Sequence, residues 1–273
     1  SWIYEMGFRK ALRQVSRCDV KPLVEYATPA GNLALRQLLV RRLSKLEINI
    51  EVDQIVLTES GTHAIDLLCR FFLEPGDTVL IDDPCYFNFQ ALLKAHRVNI
   101  VGIPYTKDGP DLEKFEIALK LSPRLYITNS GIHNPTGARL STVKAHQLLK
   151  LVSDTNLIII EDDIFADFEL NPAPRLAAFD NLSQVIQIGS FSKSISASLR
   201  CGYIATKAKW IEDLIDLKIA TTFGGSHLAS EVIVKILSDS GYQRYLESLR
   251  IRLAKKMQIT IQKLSVLGIT PYL

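Results

Sequence analysis

Residues Ile188–Ile204 read "IGSFSKSISASLRCGYI", and the reading of this stretch decides the fold. It closes a β-branched, apolar run, "VIQIG", and passes into small hydroxyl residues around a single lysine, Lys193. Arg200 follows, then Cys201, Gly202 and Tyr203. On a solvated helix a lysine has acidic partners at helical spacing. None stands within four residues of Lys193. Taken alone, a lysine in a serine-rich turn is simply solvated. Its meaning depends on what the rest of the chain brings to the same strand end.

Working outward, six more short apolar runs have the character of "VIQIGSF": "QIVLTES", "DTVLIDD", "NIVGIPY", "RLYITNS", "LIIIEDD" and "GYIAT". Most are continuously apolar rather than alternating, as in strands covered on both faces. Helical patterns separate them: "HAIDLLCRFFL", "YFNFQALLKAH", "DLEKFEIALKL" and "LSTVKAHQLLKLVSD". "EPGDTV" and "KDGPD" supply turn chemistry. The alternation predicts an α/β domain with a mainly parallel sheet of about seven strands and helices on both sides. Beyond Tyr203 the pattern is helical. "KWIEDLIDLKIATTFGGSHLASEVIVKIL" reads as two helices broken at Gly224-Gly225, and "YQRYLESLRIRLAKKMQITIQKLSVL" as one long amphipathic helix. "GITPYL" then reads as the start of a strand. The expected organisation is an N-terminal segment (1–20), a large domain (21–240), and an interdomain helix with the start of a small C-terminal domain (241–273).

Bulk properties narrow the function classes. The chain has 273 residues, 47% apolar and 22% charged, with a net charge of +3 and no long block of one sign. That is globular composition with material for a large core. "VRRLSKL" and "RIRLAKK" interleave basic residues with leucine, as on a solvated helix face, and give no argument for nucleic-acid binding by this chain. The four cysteines, Cys18, Cys69, Cys85 and Cys201, are far apart and form no C-x-x-C pair. They suggest neither structural zinc nor a disulfide framework and fit a reducing cytosol, so a cytoplasmic location is expected. The five histidines lack metal-ligand spacing. No apolar run is long enough to span a membrane.

In such sheets ligands bind beyond the carboxyl ends of the strands. Those positions carry Glu59-Ser60-Gly61-Thr62, Pro84-Cys85-Tyr86, His133-Asn134-Pro135-Thr136-Gly137, Asp162-Asp163 and Ser190-Phe191-Ser192-Lys193. "SGT" opening the helix "HAIDLL" offers backbone N–H groups to an anion. Ser190 and Ser192 add hydroxyls, and Arg200 adds a fork suited to phosphate. Lysine is the side chain that condenses with aldehydes. A carboxylate at the end of a buried strand needs a partner, and a pyridinium N–H would supply one for Asp162. Phosphate, aldehyde and protonated pyridine together describe pyridoxal 5'-phosphate.

With these residues in place, the sequence resembles the fold-type I, aspartate-aminotransferase-like proteins. "SGT", "DPCY", "HNPTG", "EDDIF" and "SFSKSISASLRCGY" stand in that family's order over roughly residues 20–210. The resemblance implies roles. Lys193 would form the internal aldimine and carry the substrate Cα proton. Asp162 would hold the pyridine N–H, Asn134 would bond the phenolic oxygen, and Tyr86 would stack on the ring. Ser60, Gly61, Thr62, Ser190, Ser192 and Arg200 would cradle the phosphate. Tyr26, in "VEYATPAGNLALRQLL", matches a tyrosine that reaches the phosphate of the neighbouring subunit, which implies a homodimer. Phe165 stands where the family usually has a tyrosine that also bonds the phenolic oxygen, and Ala197 where many relatives have proline. Losing that hydroxyl should change the acidity of the aldimine while Asn134 keeps binding.

Other polar residues near these motifs have ordinary readings. Asp163 reads as a supporting carboxylate, His63 as a capping or packing residue, Glu59 as locally paired, and Cys85 and Cys201 as packing residues. His133 either touches substrate or packs, packing being the commoner role.

Within the family, "EPGDTVLIDDPCY", "EDDIFADFE", "DLKIATTFGGSHLASEVIVKIL" and "GYQRYLESLRIRLAKKM" resemble the effector domain of MocR-type regulators of the GntR group. That resemblance implies a sensor of an amino acid or amine acting through aldimine exchange at Lys193. DNA would be contacted only through a winged helix-turn-helix not among these residues, and the substrate-carboxylate arginine would lie beyond Leu273, so a fragment is expected. Two further readings stand beside it. One is a free-standing aminotransferase moving an amino group from an amino acid to a 2-oxo acid. The other is a scaffold without cofactor, which the intact lysine, acid and asparagine argue against.

Overall fold

In a computed structural model of the chain, residues 3–19 and 24–269 are described. In chain order the elements are α1 (Glu5–Val15), α2 (Leu33–Ser44), β1 (Ile55–Thr58), α3 (Gly61–Phe72), β2 (Thr78–Asp83), α4 (Phe87–Ala95), β3 (Asn99–Thr106), β4 (Gly109–Pro110) and α5 (Leu112–Leu119). They continue with β5 (Leu125–Thr128), α6 (Thr142–Val152), β6 (Ile158–Asp162), α7 (Leu176–Asp180), β7 (Val185–Ser190), β8 (Gly202–Ala205), α8 (Ile211–Thr221), α9 (His227–Leu237) and α10 (Ser240–Val266).

The strands form one sheet in the order β1-β8-β7-β6-β5-β2-β3-β4. The run β7-β6-β5-β2-β3 is parallel throughout. Strand β8 runs against both β7 and β1, so β1 points the same way as the parallel run. All seven expected strands are present. The eighth, β4, is a two-residue antiparallel lip on β3 within "KDGPD". Two residues carry no periodicity, so the turn reading missed it.

Side-chain alternation builds two cores. On one face lie Ile55, Leu57, Leu80, Tyr126, Ile159, Val185 and Tyr203, under α1, α2, α5, α6, α7, α9 and α10. On the other lie Val79, Ile81, Ile127, Ile160, Ile186, Ile188 and Ile204, under α3, α4 and α8. Neighbours in a strand alternate between these sets, as period-two geometry requires. Burying each such side chain contributes about 1.5–3 kcal/mol. Continuously apolar strands thus mark a sheet sandwiched between helix layers.

The basic stretches are only partly solvated faces. Arg41 is exposed at the end of α2, but Arg42 forms an ion pair with buried Asp167. From α10, Arg250 Nε donates to the Asp167 carbonyl at 2.9 Å. Helix α10 is long, as expected, and the break between α8 and α9 falls at Gly224-Gly225. The strand read at "GITPYL" lies, from residue 270 on, outside the described residues. No helix among the described residues is long and apolar enough to cross a membrane.

Candidate functional site

Because β1 and the parallel strands point one way, and β8 begins at that same end, five chain segments emerge together, the last being the β7–β8 loop. They surround a cavity of about 220 Å³. That is below the ~300–1,000 Å³ of drug-sized pockets, so the cavity suits a small ligand.

One wall is the start of α3. Ser60 is its N-cap, and its hydroxyl accepts from the His63 N–H at 3.0 Å. The Gly61 and Thr62 N–H groups have no partner inside the helix, and both residues line the cavity. An anion there meets aligned donors and the positive end of the helix. Opposite stand Ser190 and Ser192. The Ser190 hydroxyl lies 3.0 Å from the Ser192 hydroxyl and 3.2 Å from both the Ser192 N–H and the Cys201 carbonyl. Arg200 completes this wall from a left-handed backbone, φ 47°. That conformation costs a non-glycine residue about 1 kcal/mol or more. Gly202 explains the "CGY" motif. A Cβ there would stand 2.7 Å from the Ser60 carbonyl carbon and 3.0 Å from the Gly61 nitrogen. Only glycine lets β8 lie this close to the helix start.

The floor is the end of β6. Asp162 is buried, and its Oδ1 accepts from the Ile164 N–H at 3.1 Å. Asn129 Nδ2 donates to the Asp162 carbonyl at 3.0 Å. Burial pushes the Asp162 carboxyl up to about 6 against these hydrogen bonds. No cationic side chain pairs with Asp162 among the described residues. Lys193 and Arg200, both on the cavity, are exposed and have no ion pair there. Tyr86 enters from the N-cap of α4, in edge contact with Phe87 and Phe89 at 4.8 and 5.6 Å between centroids. Asn134, Phe165 and Ala197 close the rim.

Eleven of the twelve residues proposed from the sequence therefore surround one cavity. Tyr26 does not. It is 88% exposed and packs on Phe223, 5.0 Å between centroids, outside this chain's own cavity. The sequence reading passed over Asn129, Ile65 and Phe89, which also line it. Asn129 was visible in "LYITNSG" as the first polar residue after a strand. The other two sit inside helix patterns that read as core.

The ordinary readings of neighbouring residues are equally visible. His133 does not reach the cavity. It is buried, stacked on Tyr105 at 3.8 Å, with Nδ1 2.7 Å from the Thr136 hydroxyl and Nε2 3.3 Å from Asp82 Oδ2. Asp163 pairs with Arg175 at 2.9 Å and accepts from Gln187 Nε2 at 3.0 Å. His63 Nδ1 accepts from the Glu59 N–H at 3.1 Å. Cys201 is buried, and Cys85 is half-buried, with its sulfur 3.9 Å from Gln90 Nε2. No group of His, Cys, Asp or Glu among the described residues is arranged to hold a metal ion.

Sheet order, helix layers and a cavity at the strands' carboxyl ends define an aspartate-aminotransferase-like α/β protein. The sequence model of aminotransferase class I and II matches residues 8–272, and the chain belongs to that family. It is 30% identical over 243 residues to the uncharacterized HTH-type transcriptional regulator YdfD of Bacillus subtilis (strain 168), covering 88% of this chain and 50% of that protein. It is 31% identical over 262 residues to YdcR, an uncharacterized HTH-type transcriptional regulator of Escherichia coli (strain K12), covering 93% and 55%. The chain thus spans about half the length of these relatives, and its resemblance is to the aminotransferase-like domain of MocR-type regulators. A kynurenine aminotransferase structure from Pyrococcus horikoshii superposes with a TM-score of 0.90 over 97% of this chain and 67% of that one, at 23% identity, which speaks for the fold alone.

The family implies pyridoxal 5'-phosphate, and the donor set fits it. Unpaired helix N–H groups, two serines and Arg200 suit the phosphate. A buried carboxylate without a cation suits a protonated ring nitrogen, and a free lysine on the same cavity suits the aldehyde.

Proposed function

We propose that the chain is the pyridoxal-phosphate-binding effector domain of a MocR-type transcriptional regulator, which senses an amino acid or amine. The observation that carries this reading is the sharing of one small cavity by Lys193, Asp162 and the anion donors Gly61, Ser190 and Arg200. When bound, the cofactor supplies an aldehyde that condenses with amines and a ring that withdraws electrons once protonated. The chain's own residues do the rest. Gly61, Thr62, Ser190, Ser192 and Arg200 hold the phosphate. Asp162, ionised, keeps the ring nitrogen protonated. Asn134 donates to the phenolic oxygen, and Tyr86 covers a ring face. Lys193 would anchor the aldehyde through its amine, which would be the group exchanged for an incoming one.

In this reading residues 21–240 form the cofactor-binding domain, and α10 leads toward a further domain. The protein is cytoplasmic and homodimeric, and Tyr26 of each protomer completes the partner's phosphate site. Its 88% exposure leaves it available for that contact. DNA is bound through a separate helix-turn-helix.

The test is borohydride reduction after adding pyridoxal phosphate, followed by peptide mass analysis. A pyridoxyl group on Lys193, absent in Lys193→Ala, supports the reading. Label spread over other lysines overturns it. A free-standing aminotransferase uses the same residues. It is distinguished by release of a 2-oxo acid in repeated turnover, where a sensor only exchanges its bound amine.

A further inference from the structure

A second cavity, of about 290 Å³, opens at the opposite end of the sheet. Arg124 immediately precedes β5, Gln184 immediately precedes β7, and Ile158 is the first residue of β6. Lys207, Lys209 and Trp210 follow β8, which runs toward this end. Three cations therefore converge on one concave surface beside an indole.

Their local partners leave most of that charge unmatched. Arg124 Nε lies 4.0 Å from Asp77 Oδ2, the outer limit of an ion pair. Asp180 acts on Lys207, but its Oδ2 already accepts from the Gln184 and Val185 N–H groups at 2.6 and 2.8 Å. Neither acid lines the cavity. Burial, then the neighbouring Lys209 charge, hold the Lys207 ammonium below its ordinary value, and Asp180 pulls less strongly the other way. Lys207 Nζ sits 3.9 Å from the Trp210 ring centroid and donates to the Ser183 carbonyl at 2.5 Å, while Lys209 Nζ is 5.5 Å from the same ring. Phe72 holds the indole edge-on at 4.9 Å. One lysine over the indole is accounted for by cation–π packing. Lys209 and Arg124 repel it, and their own local contacts, a longer approach to the same ring and an ion pair at its outer limit, offset little of that repulsion.

We propose that this cavity binds a small phosphorylated anion. Arg124 offers a planar fork for two phosphate oxygens, and the lysines offer two point charges. A concave surface of one sign concentrates anions ahead of contact. The site is independent of the Lys193 cavity, because none of its lining residues is shared.

The chain has two tryptophans, so Trp2→Phe leaves Trp210 as the sole indole, inside the proposed site. In that background, inorganic pyrophosphate and ADP are titrated at fixed ionic strength. Trp210 emission reports the site, and equilibrium dialysis counts bound anion. Expected is saturable binding by both methods, weakened at least about tenfold in Lys207→Gln/Lys209→Gln and severalfold in Arg124→Gln, with Arg200→Gln retaining the Trp210 response. ADP binding more tightly than pyrophosphate assigns the site to nucleotides, and equal binding assigns it to phosphate alone. The proposal is overturned by the absence of saturation up to about 10 mM. It is equally overturned by binding that survives the Lys207/Lys209 pair and is lost only in Arg200→Gln.

Discussion

Asp162 and Asp163 are consecutive and both buried, yet among the described residues only Asp163 has a cation. Asp163 is clamped by Arg175 at 2.9 Å, whereas Asp162 opens on the cavity with only backbone and amide donors nearby. One acid is paired within the fold, and the other faces the cavity without a cation among the described residues.

The sign of the Asp162 contribution follows from its pKa, raised from the usual 3.8 to about 6. Ionisation is disfavoured in the fold, so this contribution to stability is fully present below about pH 4 and lost as pH rises through 6. Above that, the cost is about 3 kcal/mol. Asp162→Asn should therefore stabilise the cofactor-free chain by up to about 3 kcal/mol at pH 8, and by roughly half that at pH 5. Urea unfolding at both pH values measures it. The same substitution should weaken pyridoxal phosphate binding and alter its visible spectrum, whereas Asp163→Asn should leave the spectrum nearly unchanged. Equal spectral effects would refute the assignment.

Arg175 is buried and pairs with both Asp163 and Glu169. Arg175→Met leaves buried Asp163 without a cation and buried Glu169 with only Arg139, 3.6 Å away, and should cost about 3–5 kcal/mol. Protein that remains folded should still take up the cofactor at Lys193. Thermal melts, with cofactor absorbance read below the transition, separate the two effects.

Phe165 lines the cavity with a ring that has no donor. Phe165→Tyr adds a hydroxyl to the cavity that Asn134 also lines. If it reaches the phenolic oxygen, it favours the deprotonated form of the bound cofactor. The pH midpoint of the visible absorption should then fall by about one unit, the worth of one hydrogen bond. An unmoved midpoint would mean the new hydroxyl points elsewhere.

Gly202→Ala drives a methyl group into the Ser60 backbone, which has no rotamer by which to yield. Overpacking of this kind costs about 1–3 kcal/mol. Because the atoms displaced are those of the α3 start, phosphate affinity should fall more than stability does. Paired measurements of melting temperature and cofactor Kd show whether it does.

Much of this was legible in the chain because it is local. Continuously apolar "LIIIEDD" and "VIQIGSF" announced doubly covered strands, and the polar residues ending them announced the site. The order of strands was not legible. Nothing near Ile55 in the sequence says that it pairs with Ala205. Nor did the sequence separate His133 from the cavity, because its stack on Tyr105 joins segments that only the sheet brings together. Asn129 was passed over because a buried amide after a strand looks like any other strand end until its neighbours are known.

The pairing of β1 with β8 also bears on the order of assembly. The two walls of the anion cradle, Ser60–Thr62 and Ser190–Arg200, are separated by more than a hundred residues. They meet only when β8 inserts between β7 and β1. A contact of such long range carries a large loop-closure cost and forms late. A nascent chain released before Ser190 has emerged has half a cradle and no Arg200. Under the proposed function, phosphate capture needs the closed sheet, so cofactor uptake should follow the pairing of β8 with β7 and β1 rather than nucleate it.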